Sequence, residues 1–331
     1  MTAKSESPAL SIVVPFYNEA ENIPELYSRL KKVLDGIGWR YELIFVDDGS
    51  KDRSYGVLLG LYEKDPAVHL VRLRRNFGQT AGLQAGFDHA RGDVIIAMDG
   101  DLQHAPEDIP LFLEKMAEGY DIVSGWRKRR VDNLFLRRIP SRAANWMMKK
   151  LSGVDIHDFG TTFKAYKRDV IKGVQLYGQL HRFIPALISR QGVRITEIPI
   201  QNIVRQKGKS NYGLSRVRRV LFDLLTVKFI VSFIDRPLQF FGLIGLIFGG
   251  VGFLIALLLT VGYFAFGWSM RDNLGNLIFS VFMIMLGVQF VMTGLLAEIM
   301  SRVYFRTHDI RIYSIAEVKS RRGPEAGPPG A

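Results

Sequence analysis

Residues Asp99-Gly100-Asp101-Leu102-Gln103 follow directly on the apolar run Val94-Ile95-Ile96-Ala97. A buried strand that ends this way projects two carboxylates and a carboxamide into one turn. Hard divalent cations take oxygen ligands, and Mg²⁺ in particular is held by one or two carboxylates together with substrate phosphates. The triplet therefore suits anchoring a nucleoside diphosphate and stabilising it as it departs. A solvated Asp-Gly turn is the other reading of the motif taken alone. Two more strand ends carry polar groups of the same kind, Tyr17-Asn18-Glu19 and Asp47-Asp48. Three such ends in one chain favour the nucleotide reading, although a turn or helix-capping role stands beside it for Asp47 and Asp48. His104, His157 and His181 match no metal-ligand spacing and read as structural. The chain has no cysteine, which excludes disulfides, thiolate metal sites and cysteine nucleophiles.

The elements that must position these groups alternate. Leu10–Pro15 reads as a buried strand, followed by a helix from about Asn22 to Leu34. Tyr41–Val46 is a second strand, a helix near 54–64 leads to the strand His69–Leu73, and a helix near 79–90 leads to the strand that ends at Asp99. Repeated strand–helix units predict an α/β domain with a mainly parallel sheet and helices on both faces. Ligands of such sheets sit beyond the carboxyl ends of the strands, where all three polar motifs fall.

The chain of 331 residues, 48% of them hydrophobic, also contains two long apolar segments. No charged side chain occurs from Pro237 through Met270 or from Leu274 through Ala297. A bilayer core needs roughly 20 apolar residues in a helix, so both segments, at about 238–267 and 274–299, are long enough to span it. The short link around Arg271-Asp272 predicts a helical hairpin. Arg236 before it and Arg302, Arg306 and Arg311 after it place both ends on the cytoplasmic side. Residues 1–8 lack the apolar core of a signal peptide, so the amino-terminal part is expected in the cytoplasm. The resulting expectation is a disordered 1–8, a cytoplasmic domain over 9–212, a juxtamembrane amphipathic helix over 213–235, a hairpin over 236–302, and a partly disordered cytoplasmic tail over 303–331.

A net charge of +12 calls for an anionic partner. One basic cluster runs from Arg127-Lys128-Arg129-Arg130 through Arg137, Arg138, Arg142, Lys149 and Lys150; a second comprises Arg205, Lys207, Lys209, Arg216, Arg218 and Arg219. Both adjoin stretches with an apolar helical face, the first of them at about 134–151. Basic amphipathic helices lie in membrane interfaces, and beside an apolar hairpin they favour an anionic lipid surface over nucleic acid.

Longer motifs narrow the reading. Val14-Pro15-Phe16-Tyr17-Asn18-Glu19, Val46-Asp47-Asp48-Gly49-Ser50, Asn76-Phe77-Gly78-Gln79-Thr80 and Asp99-Gly100-Asp101-Leu102-Gln103-His104-Ala105-Pro106 occur in order. With them the sequence resembles the family 2 inverting glycosyltransferases of the GT-A fold. It is similar more narrowly to the polyprenyl-phosphate glycosyltransferases related to dolichol-phosphate mannose synthase, of the bacterial two-span type. That narrower match rests on Ser124-Gly125-Trp126-Arg127, Asp158-Phe159-Gly160-Thr161-Thr162-Phe163-Lys164, His181-Arg182-Phe183-Ile184-Pro185 and Arg205-Gln206-Lys207-Gly208-Lys209-Ser210. The resemblance covers about residues 9–230 and the hairpin. One departure is Ala105, where such enzymes often have proline.

The resemblance implies roles. Asp48 would accept hydrogen bonds from the donor's base or ribose, with Pro15, Tyr17 and Glu19 lining the same pocket. Asp99, Asp101 and Gln103 would hold Mg²⁺ or Mn²⁺ against the diphosphate, and Arg205 and Lys207 would close over it. Arg127, Arg137 and Ser141 would grip the acceptor phosphate, and Asp158 would be the catalytic carboxylate or a group orienting the acceptor. The implied partners are a nucleoside-diphosphate sugar (UDP or GDP), a polyprenyl phosphate such as undecaprenyl or dolichyl phosphate, and the plasma membrane. The architecture accommodates glucose, mannose, N-acetylglucosamine or a modified pentose. The two-span hairpin resembles bacterial enzymes that supply glucose, which favours UDP-glucose. A processive polysaccharide synthase would share the fold but carries a Gln-x-x-Arg-Trp element, which is absent from this sequence. Small residues in the first span, Gly242, Gly245, Gly249 and Gly250, would permit close helix packing and a homo-oligomer.

Overall fold

The computed structural model describes residues 8–128, 145–146, 148–150, 152–176, 180–189, 192–201, 203, 237–306 and 312–321. The chain divides into two compact units, residues 1–227 with 311–331, and residues 228–310.

The first unit is built on strands β1 (Leu10–Phe16), β2 (Tyr41–Asp47), β3 (Val68–Leu73), β4 (Val94–Ala97), β5 (Ile122–Trp126), β6 (Lys164–Lys167), β7 (Ile195–Pro199) and β8 (Ile315–Lys319). They form a single sheet in the order β7-β5-β6-β4-β1-β2-β3-β8. The expected parallel core is present: β1 pairs in parallel with β2 and β4, and β2 with β3. The sheet as a whole is mixed, because β6 runs antiparallel between β4 and β5, and β8 runs antiparallel against β3.

Helices cover both faces, so the central strands are apolar on both sides. On one face α1 (Ile23–Ile37), α2 (Ser54–Lys64) and α4 (Ile109–Ala117) bury Ile23, Leu26, Leu30, Leu58 and Phe112 against Leu10, Ile12, Val14, Phe45 and Ile96. Helix α1 has proline in its first turn and ends at Gly38 with φ of 72°, the left-handed stop that glycine adopts without a Cβ penalty. On the other face α3 (Gln79–His89), α5 (Arg168–Lys172) and α6 (Ile184–Ile188) pack on Val13, Ile44, Val71, Ile95 and Tyr166. Helix α3 lies very close to β1: a Cβ added at Gly86 would stand 2.2 Å from Val13 Cγ1. That proximity fixes the amino end of α3, Gln79 and Thr80, beyond the strand ends.

The tail returns to this unit, which the sequence reading did not contain. Strand β8 lies along β3, Tyr313 is buried and donates to Asp88 Oδ2 at 2.6 Å, and Ser320 Oγ is hydrogen-bonded to His69 Nδ1 at 3.0 Å. Residues 1–7 and 322–331, read as disordered, lie outside the described residues, as do 204–236 with the juxtamembrane helix. Of the stretch read as an interfacial helix at 134–151, residues 145, 146 and 148–150 are described and helical. Trp146 is exposed there, with the Lys150 ammonium 5.5 Å from its ring centroid.

The second unit is a hairpin of α7 (Pro237–Phe266) and α8 (Leu274–Arg306). Over Pro237–Phe266 and Leu274–Met300 they are long and apolar enough to cross a membrane. The seam is tight because glycines face each other: a Cβ at Gly287 would meet Gly249 N at 2.6 Å. Gly245 and Gly249 thus serve the hairpin's own packing, whereas Gly250 has nothing within 4 Å.

Candidate active site

The polar strand ends come together because β4, β1 and β2 are neighbours. Phe16 is in register with Asp47, Asp48 N donates to Phe16 O at 2.9 Å, and Met98 N donates to Val13 O at 3.1 Å.

At the end of β2, Asp47 and Asp48 are both buried but do different things. Asp47 Oδ1 accepts Ser50 N at 3.2 Å, the turn expected of an Asp before Gly49, and Arg72 Nε lies 3.6 Å from its other oxygen. Asp48 reaches across to the loop before α3 and accepts Phe77 N at 2.7 Å and Gly78 N at 2.8 Å, one amide on each oxygen. Burial pushes its carboxyl above the usual range, against the pull of these two amides. A carboxylate has lone pairs beyond two, so it retains acceptor capacity. At the end of β1, Tyr17 is exposed, whereas the Glu19 carboxylate accepts Asn22 Nδ2 at 2.5 Å. Pro15 underlies the β4 turn: its carbonyl oxygen and the Phe16 ring stand 3.2 and 2.5 Å from where a Cβ on Gly100 would be. Only glycine fits there.

In that turn Leu102 adopts φ of 61°, a left-handed conformation that an aliphatic residue holds only when its surroundings enforce it. Asp101 Oδ1 accepts Gln103 N at 3.2 Å. Asp99 Oδ1 accepts Gln79 Nε2 at 2.5 Å, and the same amide nitrogen reaches Thr162 Oγ1 at 3.1 Å. Burial pushes the Asp99 carboxyl up, while Thr162 and the charges of Arg127, Arg182 and Lys164 pull it down. Among the described residues no three His, Asp or Glu side chains converge as an all-protein metal cage. The set Asp99, Asp101 and Gln103 fits a hard cation whose shell is completed by phosphate oxygens.

On the far side of the site, Arg127 and Asp158 form a two-point ion pair. Nε donates to Oδ2 at 2.7 Å and Nη2 to Oδ1 at 3.1 Å, with both side chains largely buried. Gly160 N adds a third donor to Asp158 Oδ1 at 3.1 Å. The turn 158–162 thus presents Asp158 to Arg127 and Thr162 to Gln79. His104 is buried, stacked on Phe163 with 5.3 Å between ring centroids, and burial holds it down at about 4, so it is neutral. His181 Nδ1 is 2.7 Å from Thr80 Oγ1, and His157 stacks on Trp126 and engages Glu197.

Residues 11–174 match the sequence profile of glycosyl transferase family 2. The chain is 41% identical over 327 residues, 95% of this chain and 94% of the relative, to the dodecaprenyl-phosphate galacturonate synthase of Rhizobium johnstonii. This chain belongs to glycosyl transferase family 2. It is also 38% identical over 298 residues to the undecaprenyl-phosphate 4-deoxy-4-formamido-L-arabinose transferase of Shewanella sediminis, covering 89% of this chain and 88% of the relative. Among solved structures, glucosyl-3-phosphoglycerate synthase from Mycobacterium tuberculosis in complex with Mn²⁺, UDP and glucosyl-3-phosphoglycerate superposes with a TM-score of 0.52. It has 16% identity, over 67% of this chain and 81% of that one, which shows a shared GT-A-like fold.

For this family 2 glycosyltransferase, the structure brings together Pro15, Tyr17, Glu19, Asp48, Asp99, Asp101 and Gln103 at adjacent strand ends, and joins Arg127 to Asp158. Arg137, Ser141, Arg205 and Lys207 lie outside the described residues. Sequence reasoning gave no role to Gln79, which donates to Asp99, to Thr162, which shares that amide, or to Lys164 and Arg182, whose charges act on Asp99. The available signal was Lys164 itself, a lysine between Phe163 and Ala165 in a strand buried on both faces.

Proposed function

We propose that this glycosyltransferase moves a sugar from a nucleoside diphosphate to a polyprenyl phosphate at the cytoplasmic face of a membrane, with inversion at the anomeric carbon. The observation that carries the reading is the closeness of two opposed systems. The Asp99 turn is suited to the departing diphosphate, and the Gln79 amide that holds Asp99 also reaches Thr162, on the same turn as the Asp158 that grips Arg127.

The nucleotide occupies the ends of β1, β2 and β4, with Asp48 and Tyr17 at its nucleoside and Asp99, Asp101 and Gln103 toward its diphosphate. A divalent cation bound by those three would neutralise charge growing on the leaving group. Arg205 and Lys207 add positive charge to the same end. The acceptor needs little base help, because a phosphomonoester with a second pKa of about 6 is largely a dianion at neutral pH. It needs desolvation and alignment, which Arg127, Arg137 and Ser141 supply through charge-assisted hydrogen bonds. Asp158, with both oxygens on Arg127, is better suited to aiming that guanidinium at the phosphate than to taking a proton. The hairpin α7–α8 crosses the bilayer with both ends cytoplasmic, as its basic flanks imply.

For the donor, the relatives favour a modified sugar over UDP-glucose. UDP-galacturonate ranks first, supported by the 41% identity over nearly the full length of a galacturonate synthase. A UDP-linked 4-formamido-arabinose ranks second on the 38% relative. The test is transfer of label from UDP-galacturonate, UDP-4-formamido-arabinose, UDP-glucose, UDP-N-acetylglucosamine and GDP-mannose to undecaprenyl phosphate, with Mg²⁺ or Mn²⁺ and with EDTA. The expected product is organic-extractable and acid-labile, forms fastest from UDP-galacturonate and disappears with EDTA. No lipid-linked product from any donor overturns the reading.

A further inference from the structure

Lys164 has no part in the chemistry above, yet it lies at the centre of the site. It occupies the first position of β6, opposite Ala97 of β4 and opposite Ser124 of β5, with no exposed surface. Ala97 is two residues before Asp99. An ammonium so enclosed is unfavourable in itself, since burial disfavours the charged form. Burial accordingly pushes Lys164 down to about 7, opposed by the charges of Asp158 and Asp99. Nζ donates to Phe159 O at 3.3 Å and, at closer range, to Thr161 O.

Resting on the function proposed above, we propose that Lys164 is a positioning residue of the transfer: its side chain gathers the carbonyls of Phe159 and Thr161 and so sets the turn that carries Asp158 and Thr162. Two carbonyls drawn to one nitrogen fix the planes of two peptide groups, 159–160 and 161–162. Asp158 is the residue just before the first plane, and Thr162 N and Cα lie in the second. Asp158 meets Arg127 at two points, 2.7 and 3.1 Å, a geometry that tolerates little rotation. Thr162 shares the Gln79 amide with Asp99. One buried lysine therefore ties the acceptor-side carboxylate and the cation-binding carboxylate to a common floor.

The test uses the full chain in detergent, with Lys164→Met and Lys164→Gln made alone and in an Asp158→Asn background. UDP with Mn²⁺ is the nucleotide probe, undecaprenyl phosphate is the acceptor, and the donor is the one the wild type uses best. In each single variant kcat falls roughly 100-fold, the scale of an ångström-level misplacement, while UDP affinity stays within about threefold of wild type. In the Asp158→Asn background, Lys164→Met costs less than about a further twofold, because groups acting as a unit are not additive. Near-wild-type kcat in the single variants overturns the proposal, as does full additivity with Asp158→Asn. Loss of UDP binding in both the Met and Gln variants also overturns it, since the lysine then holds the fold rather than the turn. A wild-type chain that forms no glycolipid fails one step earlier, on the functional reading itself, and the wild-type control separates that failure from the others.

Discussion

The two sides of the site are built differently. On the side proposed for the donor, Asp48 and Asp99 each follow a strand of the parallel core, and most of the geometry is set by backbone, with amides of Phe77 and Gly78 on Asp48 and a glycine-dependent turn at Asp99 to Gln103, while the Gln79 side chain holds the Asp99 carboxylate. On the side proposed for the acceptor, Arg127 and Asp158, 31 residues apart, hold each other through side chains, and Lys164 holds the carbonyls of the turn that follows Asp158. Donor recognition of this type is a property of strand ends. In the proposed function, acceptor alignment is a property of paired charges, and removal of either partner is expected to abolish it.

The largest effect expected from breaking this division is at the donor turn. Asp99→Asn keeps the shape but removes the charge, and transfer falls about 1000-fold, equivalent to the several kcal/mol that a bound cation contributes. UDP binding, measured by calorimetry, then loses its dependence on Mn²⁺. Retained metal-dependent binding in this variant would move the cation site elsewhere.

Next comes the acceptor pair. Arg127→Gln removes the guanidinium that holds Asp158, only 3% exposed, at two points. Breaking a buried ion pair on one side costs about 3 kcal/mol. KM for undecaprenyl phosphate rises by about tenfold or more through loss of a charged phosphate contact, while nucleotide affinity is unchanged. The double variant Arg127→Gln/Asp158→Asn is more stable than Arg127→Gln alone. A rise in nucleotide Kd that matches the rise in acceptor KM would erase the separation of the two sides.

This division also explains what the sequence could reveal. Strands β1 to β4, their helices and the three strand-end motifs are legible because hydrophobic runs and polar punctuation are local signals. The hairpin is legible for the same reason. The pairing of Arg127 with Asp158, 31 residues apart, has no local signature, so the two residues were assigned separate tasks although they form one unit. Strand β8 escaped notice because it is a five-residue edge strand bearing Glu317 and Lys319, and its partner β3 lies some 240 residues earlier. Nothing in residues 312–321 alone marks them as part of a sheet.

Helix α3 touches both sides through Gln79, and its seating on β1 is the point at which they can be disturbed together. In Gly86→Ala the new methyl would overlap Val13 Cγ1, 2.2 Å away. Overpacking of this kind costs about 1–3 kcal/mol, and α3 must shift to relieve it. Stability and transfer fall together, and Val13→Ala in the same chain restores much of both by making room. If Gly86→Ala lowers Tm but leaves transfer intact, Gln79 does not link the two sides.

The smallest effect on transfer is expected at the outer edge of the half proposed for the donor, where the tail closes the sheet. His69 on β3 is buried, with Ser320 Oγ on Nδ1 and Glu42 Oε2 at 3.9 Å from Nε2, beyond hydrogen-bond reach. Burial, with a smaller contribution from the charge of Arg91, holds it down at about 4 in the folded chain. An unfolded histidine titrates near 6.5, so between those two values the unfolded chain binds more protons than the folded one. Stability is then fully present above about pH 6.5 and is lost as pH falls toward 4, by up to about 3 kcal/mol for this one group. His69→Gln does not titrate. The difference in Tm between wild type and His69→Gln therefore shrinks as pH falls from 6.5 to 4, by several degrees at the usual 2–4 °C per kcal/mol for a chain of this size. A difference that stays constant across that range means that His69 is protonated in the folded chain, and the contact between β3 and the tail is then no acid-sensitive seam.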